Sequence, residues 1–233
     1  MKISAIITAG GTGKRLPGAI KKQFLLLGNK PILFHTLERF LTKSIVNEIV
    51  ISLPEDEFID ASDKIKSSYP QANIKFVKGG KERQDSVYNA LLACSPDCDI
   101  VLIHDGVRPF FGKDIIEEML EKVEVGTGVI PVSQVKFTVK ECLAGLVIKS
   151  IPRANLYNIH TPQCFFYQDI LKLNNEAMRD NKLYTDDASL FEERGMTVKT
   201  VLESDYNIKI TTEEDLIFAE FLLLHIKNLY TEN

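Results

Sequence analysis

No tryptophan occurs among the 233 residues, only four cysteines do, and no apolar run approaches the length of a membrane span. Cys94, Cys98, Cys142 and Cys164 are scattered, and no Cys/His cluster joins Cys94 and Cys98 to complete a zinc site. Disulfide frameworks belong to much shorter secreted chains, so reduced thiols in a cytoplasmic protein are expected. The N-terminal stretch Met1-Lys2-Ile3-Ser4-Ala5-Ile6-Ile7 enters glycine-rich sequence too soon for a secretory leader. Basic residues are not in excess either. The 28 Lys and Arg against 32 Asp and Glu give a formal net charge of −4, which argues against a nucleic-acid partner but permits a local basic pocket. Internal repeats and low-complexity segments are also absent.

What is present is an alternation of apolar runs and amphipathic stretches, the pattern of an α/β fold in one domain over 1–233. Strands are predicted at Lys2–Thr8, Glu48–Leu53, Ile74–Val77, Asp99–His104, Thr127–Val132, Gln163–Phe166 and Val198–Leu202. Helices are predicted at Pro31–Thr42, Glu57–Ser68, Asp85–Ala93, Lys113–Lys122, Gln168–Asn181, Asp186–Glu193 and from an N-cap at Thr212. Between Ser133 and Arg153 the pattern changes to strict alternation around Leu143-Ala144-Gly145-Leu146. That predicts a β-hairpin, either at the sheet edge or as an arm leaving the body.

The first strand runs into Thr8-Ala9-Gly10-Gly11-Thr12-Gly13-Lys14-Arg15, where glycines let backbone N–H groups approach an anion. Arg15, Lys21 and Lys22 bring positive charge to the same spot. A P-loop is excluded, because Thr8 stands where its first glycine belongs and Arg15 follows Lys14. The dinucleotide fingerprint fails at Leu16, where its third glycine belongs. Ala9 to Arg15 followed by Lys22-Gln23-Phe24-Leu25 resembles nucleotidylyltransferases of the glycosyltransferase-A-like fold. More narrowly, it resembles the 2-C-methyl-D-erythritol 4-phosphate cytidylyltransferase family of the non-mevalonate isoprenoid pathway. That family usually has Pro where this chain has Lys21.

The remaining motifs follow in the family's order, and each has a plainer reading. Gly79-Gly80-Lys81-Glu82-Arg83-Gln84-Asp85-Ser86 is a glycine turn into a helix; the resemblance makes Gly80 and Ser86, with Lys81 nearby, the recognition site for cytosine. His104-Asp105-Gly106-Val107-Arg108 ends a buried strand, where ligands of open α/β sheets bind. The resemblance puts Asp105, Gly106 and Arg108 at the nucleotide, with Asp105 holding Mg²⁺ or another divalent cation, while His104 reads as structural. Thr185-Asp186-Asp187 reads alone as a helix N-terminus, and Thr161-Pro162-Gln163 as a turn. In the family, Arg and Thr at the positions of Arg153 and Thr185 bind the acceptor phosphate. Asn207-Ile208-Lys209 resembles the motif that brings Lys to the α-phosphate, though alone it reads as an edge strand.

The resemblance runs from Ala5 to about Ala219. It implies a Rossmann-like three-layer sandwich with a mostly parallel mixed sheet, plus a hairpin arm (133–153) that embraces a second subunit and carries its Arg to the neighbour's acceptor site. It implies catalysis by Arg15, Lys22 and Lys209, with nucleotide contacts from Ala9, Gly10, Gly11 and Gly13. CTP and a sugar-alcohol phosphate are the expected substrates, in a homodimer without nucleic acid or membrane. One segment departs: where the family commonly shows Pro-Val-x-Asp-Thr, this chain has Pro131-Val132-Ser133-Gln134-Val135-Lys136-Phe137-Thr138. The alternatives are a ribitol 5-phosphate cytidylyltransferase and, from a different class, a catalytically silent nucleotide-binding regulatory protein.

Overall fold

The computed structural model describes residues 1–11 and 20–226. Gly13 and Arg15 therefore lie outside the described residues. In chain order the first half contains β1 (Ile3–Thr8), β2 (Leu26–Leu27), β3 (Lys30–Pro31), α1 (Ile32–Leu41), β4 (Glu48–Leu53), α2 (Phe58–Ser68), β5 (Ile74–Lys78), α3 (Arg83–Ala93) and β6 (Ile100–Asp105). Then come α4 (Ile115–Leu120), β7 (Thr127–Gln134), β8 (Val139–Leu143), β9 (Leu146–Ile151), β10 (Tyr157–Ile159) and β11 (Gln163–Phe166). The chain closes with α5 (Tyr167–Arg179), α6 (Ser189–Glu193), β12 (Thr197–Leu202) and α7 (Glu213–His225).

The main sheet has the order β10-β7-β11-β6-β1-β4-β5, with β12 pairing β7. β5, β4, β1 and β6 are mutually parallel, and β11 enters antiparallel between β6 and β7. The alternation within β1 builds a core on each face. Ile3, Ala5 and Ile7 pack with α1 and α2 on one side, while Ile6 joins Val87 and Leu91 of α3 and Ile170 of α5 on the other. Central strands such as β4 and β6 are buried at every position, as expected of strands covered on both faces. A third cluster seats α7 through Ala219 and Leu222 on Leu27, Ile32, Val107 and Ile210. No helix among the described residues is long and apolar enough to cross a membrane.

The predicted strands and helices are present, with shifts at their ends. The helix predicted from Asp186 starts only at Ser189. The Asp186 carboxylate accepts the Ser189 N–H, and Gln163 from β11 takes the Ala188 N–H, so 185–188 is a turn and not a helix N-terminus. Asn207–Lys209 is not an edge strand but irregular chain. β10 and the β2–β3 pair were not predicted. The hairpin resolves as an arm: β8 and β9 form their own two-stranded sheet, and residues 140–150 are exposed on both faces. Its turn places Ala144 (φ 49°) and Gly145 (φ 81°) in the left-handed region, the two-residue loop that suits strand twist.

Candidate functional site

The parallel strands end at one level, with Thr8 opposite Ser52 on one side and Asp105 on the other. Three loops leave together there, each tied by its first N–H to a neighbouring carbonyl: Ala9 to Ser52 (2.9 Å), Gly79 to Leu53 (2.7 Å) and Gly106 to Thr8 (2.9 Å). They enclose a cleft of about 300 Å³ lined by Ala9, Gly10, Gly11, Lys22, Gly80, Lys81, Arg83, Ser86, Asp105 and Lys209, among others.

Glycine is required in this cleft for packing at least as much as for ligand approach. A Cβ on Gly10 would lie 2.9 Å from the Cα of Gly79, and one on Gly79 would lie 2.8 Å from the Cα of Gly10. The first and second loops thus touch backbone to backbone. A Cβ on Gly80 would meet Asp85 Cβ at 2.1 Å. Gly106, expected to leave room for a ligand, instead lets β6 close on β1: its Cβ would lie 3.0 Å from the Thr8 oxygen and 3.2 Å from Ala9. Gly11 alone of these would meet no atom of the described residues within 4 Å.

Helix α3 is capped by a reciprocal pair, the Glu82 side chain with the Asp85 N–H and the Asp85 carboxylate with the Glu82 N–H. Just inside it, the Ser86 hydroxyl accepts from Gly80 N–H (3.0 Å) and donates to the Glu82 carbonyl (3.2 Å), fixing the turn that carries Lys81. Gln23, one residue past Lys22, is buried and donates to the carbonyls of Ala9 (2.7 Å) and Gly11 (3.2 Å), so the Lys22 segment is stitched to the first loop. Lys21 does not add charge to the cleft as expected. Its ammonium pairs with Asp56 and, at 3.2 Å, with Glu57.

Asp105 is the electrostatic centre. Its Oδ1 accepts from Arg83 Nε (3.0 Å), and its Oδ2 from Arg108 Nε (3.2 Å) and Lys209 Nζ (2.9 Å). Burial pushes the carboxyl up, but Arg83, Lys209 and Arg108 together hold it well below the usual carboxylate range. Three cations against Asp105 and the Asp187 that shares Arg83 still leave the spot net positive, which suits a polyanion. Arg108 lies behind Asp105 rather than along the cleft, donating to the Asn207 carbonyl (2.8 Å). Asn207 is fully buried and donates to the Thr161 carbonyl (2.8 Å), which anchors the chain that presents Lys209.

His104 is structural. Its Nε2 donates to the Arg108 carbonyl (2.9 Å), which leaves Nδ1 to accept from the Thr161 hydroxyl (2.9 Å). That hydroxyl accepts in turn from Asp105 N–H. Burial pushes the imidazole down to about 3, so it stays neutral. His160 was not singled out in the sequence. It is buried, with Nδ1 3.2 Å from Arg108 Nη1 and 3.1 Å from the Asn207 carbonyl, and with Nε2 2.9 Å from the Ser133 hydroxyl.

No three His, Cys, Asp or Glu side chains among the described residues converge to cage a metal ion. Both oxygens of Asp105 are taken by Arg83, Arg108 and Lys209, so a Mg²⁺ in the cleft would have to displace one of these cations and draw most of its ligands from phosphates and water. Arg153 and Thr185 do not line the cleft. Both are exposed, Arg153 at the base of the arm and Thr185 in the turn before α6.

The family model for IspD, 2-C-methyl-D-erythritol 4-phosphate cytidylyltransferase, matches residues 3–225. The chain is similar to the 2-C-methyl-D-erythritol 4-phosphate cytidylyltransferase of Clostridium botulinum strain 657, 45% identical over 95% of this chain and 97% of that one. It is 41% identical to that of Clostridium perfringens strain SM101 over 94% of this chain and 97% of the relative. Among solved structures, the 4-diphosphocytidyl-2C-methyl-D-erythritol synthase of Anaerococcus prevotii superposes with a TM-score of 0.84 at 33% identity, covering 96% of each chain. The Francisella tularensis 2-C-methyl-D-erythritol 4-phosphate cytidylyltransferase gives 0.81 at 29% identity, over 95% of this chain and 99% of that one.

Proposed function

Because the chain belongs to the 2-C-methyl-D-erythritol 4-phosphate cytidylyltransferase (IspD) family, we propose that the cleft around Asp105 is where CMP passes from CTP to the acceptor. The reaction gives 4-diphosphocytidyl-2-C-methyl-D-erythritol and pyrophosphate, in isoprenoid precursor synthesis. The observation that carries the assignment of the cleft is the excess of Lys22, Lys81, Arg83 and Lys209 over Asp105 and Glu82 in its lining, beside two touching glycine loops.

An oxygen of the acceptor phosphate attacks the α-phosphorus of CTP as the bond to pyrophosphate breaks in line. The acceptor phosphate is ionised near neutral pH, so no general base is needed, and neutral His104 supplies none. Lys22 and Arg15 stabilise the charge on the transferring and leaving phosphates, and Lys209 turns from Asp105 to the α-phosphate. Gly10, Gly11 and Gly13 offer backbone N–H groups to the triphosphate, and Ala9, whose own N–H is spent on the Ser52 carbonyl, lines the cleft beside them. Gly80, Lys81 and Ser86 face the base, where a turn fixed by hydrogen bonds discriminates rigidly. Gly106 and Arg108 hold Asp105 in place. Asp105 would hold Mg²⁺ or another divalent cation, which would add charge neutralisation at the phosphates.

Arg153 and Thr185 grip the acceptor phosphate, Arg153 from the neighbouring subunit. The protein is thus a cytoplasmic homodimer of one nucleotidyltransferase domain, joined through the arm (133–153). The exposure of Arg153 outside its own chain's cleft supports that composite arrangement. Pyrophosphate release with CTP, assayed in parallel with 2-C-methyl-D-erythritol 4-phosphate and ribitol 5-phosphate, tests the assignment. Release with the first acceptor and not the second is expected; the reverse preference, or release with neither, overturns it.

A further inference from the structure

Arg83, the first residue of α3, bridges two buried carboxylates that belong to different parts of the chain. Its Nε donates to Asp105 Oδ1 (3.0 Å) and its Nη2 to Asp187 Oδ2 (2.8 Å). Asp105 is at the cleft, whereas Asp187 is outside its lining, in the turn that leads into α6. Both are nearly inaccessible, with side-chain exposures of 7% and 3%. An unpaired buried carboxylate is costly, so the turn has strong reason to stay where the guanidinium is.

The segment 182–188 has no regular structure, yet it is tied down along its length. Gln84, next to Arg83, donates to the Lys182 carbonyl (3.0 Å) and accepts the Tyr184 N–H (3.0 Å). Gln163 donates to Asp186 (2.8 Å) and accepts the Ala188 N–H (3.0 Å). Exposed Thr185 sits in the middle of these ties. Of the residues that fasten the segment, Arg83 is the one that also holds Asp105, whose other oxygen pairs with Lys209. The position of Thr185 is therefore referenced to the same carboxylate that organises the nucleotide side.

We propose that Arg83 is a positioning residue that registers the acceptor-binding segment against the nucleotide cleft, acting through the Asp105–Arg83–Asp187 bridge. This rests on the reading of Thr185 as an acceptor contact. The planar fork of arginine can serve two carboxylates in two directions at once, which a lysine ammonium on a flexible stem does not reproduce. The capping pair of Glu82 and Asp85 fixes the backbone from which Arg83 reaches.

Asp187→Asn is the sharpest test, because it breaks the bridge outside the cleft with an isosteric side chain. Steady-state kinetics of the dimer with both substrates varied should show the acceptor KM up by about tenfold, with the CTP KM within about twofold. Arg83→Lys should raise the acceptor KM by a similar factor, and the double variant should be no worse than the poorer single one. If Asp187→Asn melts below the assay temperature, Arg83→Lys carries the same readout. Thr185→Val is measured alongside. If it raises the acceptor KM while Arg83→Lys and Asp187→Asn leave it unchanged, the bridge is only structural and the inference fails, with the acceptor reading intact. Equal rises in both KM values for Asp187→Asn overturn it as well. If Thr185→Val has no effect on the acceptor KM, the acceptor reading fails and takes the inference with it.

Discussion

The nucleotide cleft and the arm are built on opposite physical terms. At the cleft nearly every group is fixed more than once: Ser86 has two partners, Gln23 spans two carbonyls, Asp105 has three cations, and two loops meet without a side chain between them. The arm is held by its own ladder, with Phe137, Leu143, Leu146, Val147 and Ile148 all exposed. A two-stranded hairpin with no core is marginal by itself. Rigidity is thus concentrated where charge must be met in a set geometry, and the exposed apolar surface is concentrated where a second subunit can cover it.

The contrast can be broken most severely at the chemistry. Lys22→Ala should lower turnover by about a hundredfold or more, equivalent to ~3 kcal/mol of barrier, while the melting temperature stays unchanged. Parallel kinetics and thermal melts check this, and near-normal turnover would remove Lys22 from the mechanism. Next comes the glycine contact. Gly79→Ala should cost about 1–3 kcal/mol of stability in urea unfolding, since the atom it meets is backbone and cannot swing aside. Gly11→Ala, which meets no atom of the described residues within 4 Å, should unfold like the parent.

The arm gives the converse result. Replacing 139–151 by a short Gly-Ser linker should convert the dimer proposed above to a monomer in light scattering, while the body's unfolding midpoint holds within a few degrees. A collapse of the body instead would show that the arm is part of its core. The smallest effect concerns pH. Burial, with Arg108 beside it, holds His160 below its ordinary 6.5. The unfolded chain therefore binds a proton that the folded one refuses. Its contribution is complete above pH 6.5 and is lost as pH falls further, by at most about 1.4 kcal/mol per unit. His160→Gln should make the acid limb of stability against pH shallower. An unchanged limb would mean that the folded imidazole accepts the proton after all.

Much of the fold was readable because it is written locally. The apolar runs of β1, β4 and β6 and the capping pattern at Thr212 depend only on neighbours in sequence, and the Ala144-Gly145 turn announced its hairpin. β10 was not readable, since Tyr157-Asn158-Ile159 is too short a run to establish a period and all three residues are exposed. The short α6 was overestimated because the Asp186 and Asp187 that look like helix-start residues are claimed by Gln163 and Arg83 from elsewhere in the chain. In the site, motif order located Lys22, Asp105 and Lys209, but the partner of each charge is a long-range fact. Lys21 reads as cleft charge until Asp56 and Glu57 are seen beside it. Arg83 reads as a mere helix start until Asp187, 104 residues away, is found at its other end.

The contact between Gly10 and Gly79 has a bearing on redesign. With no side chain on either residue, the spacing between the two loops, to which the proposed function gives the phosphates and the base, is set by main-chain van der Waals radii, the one dimension that substitution cannot shrink and can enlarge only by forcing the loops apart. An altered base preference is therefore better sought at the rim, in exposed Lys81 and Glu82, where a new side chain can reshape the opening while the frame behind it keeps its gauge.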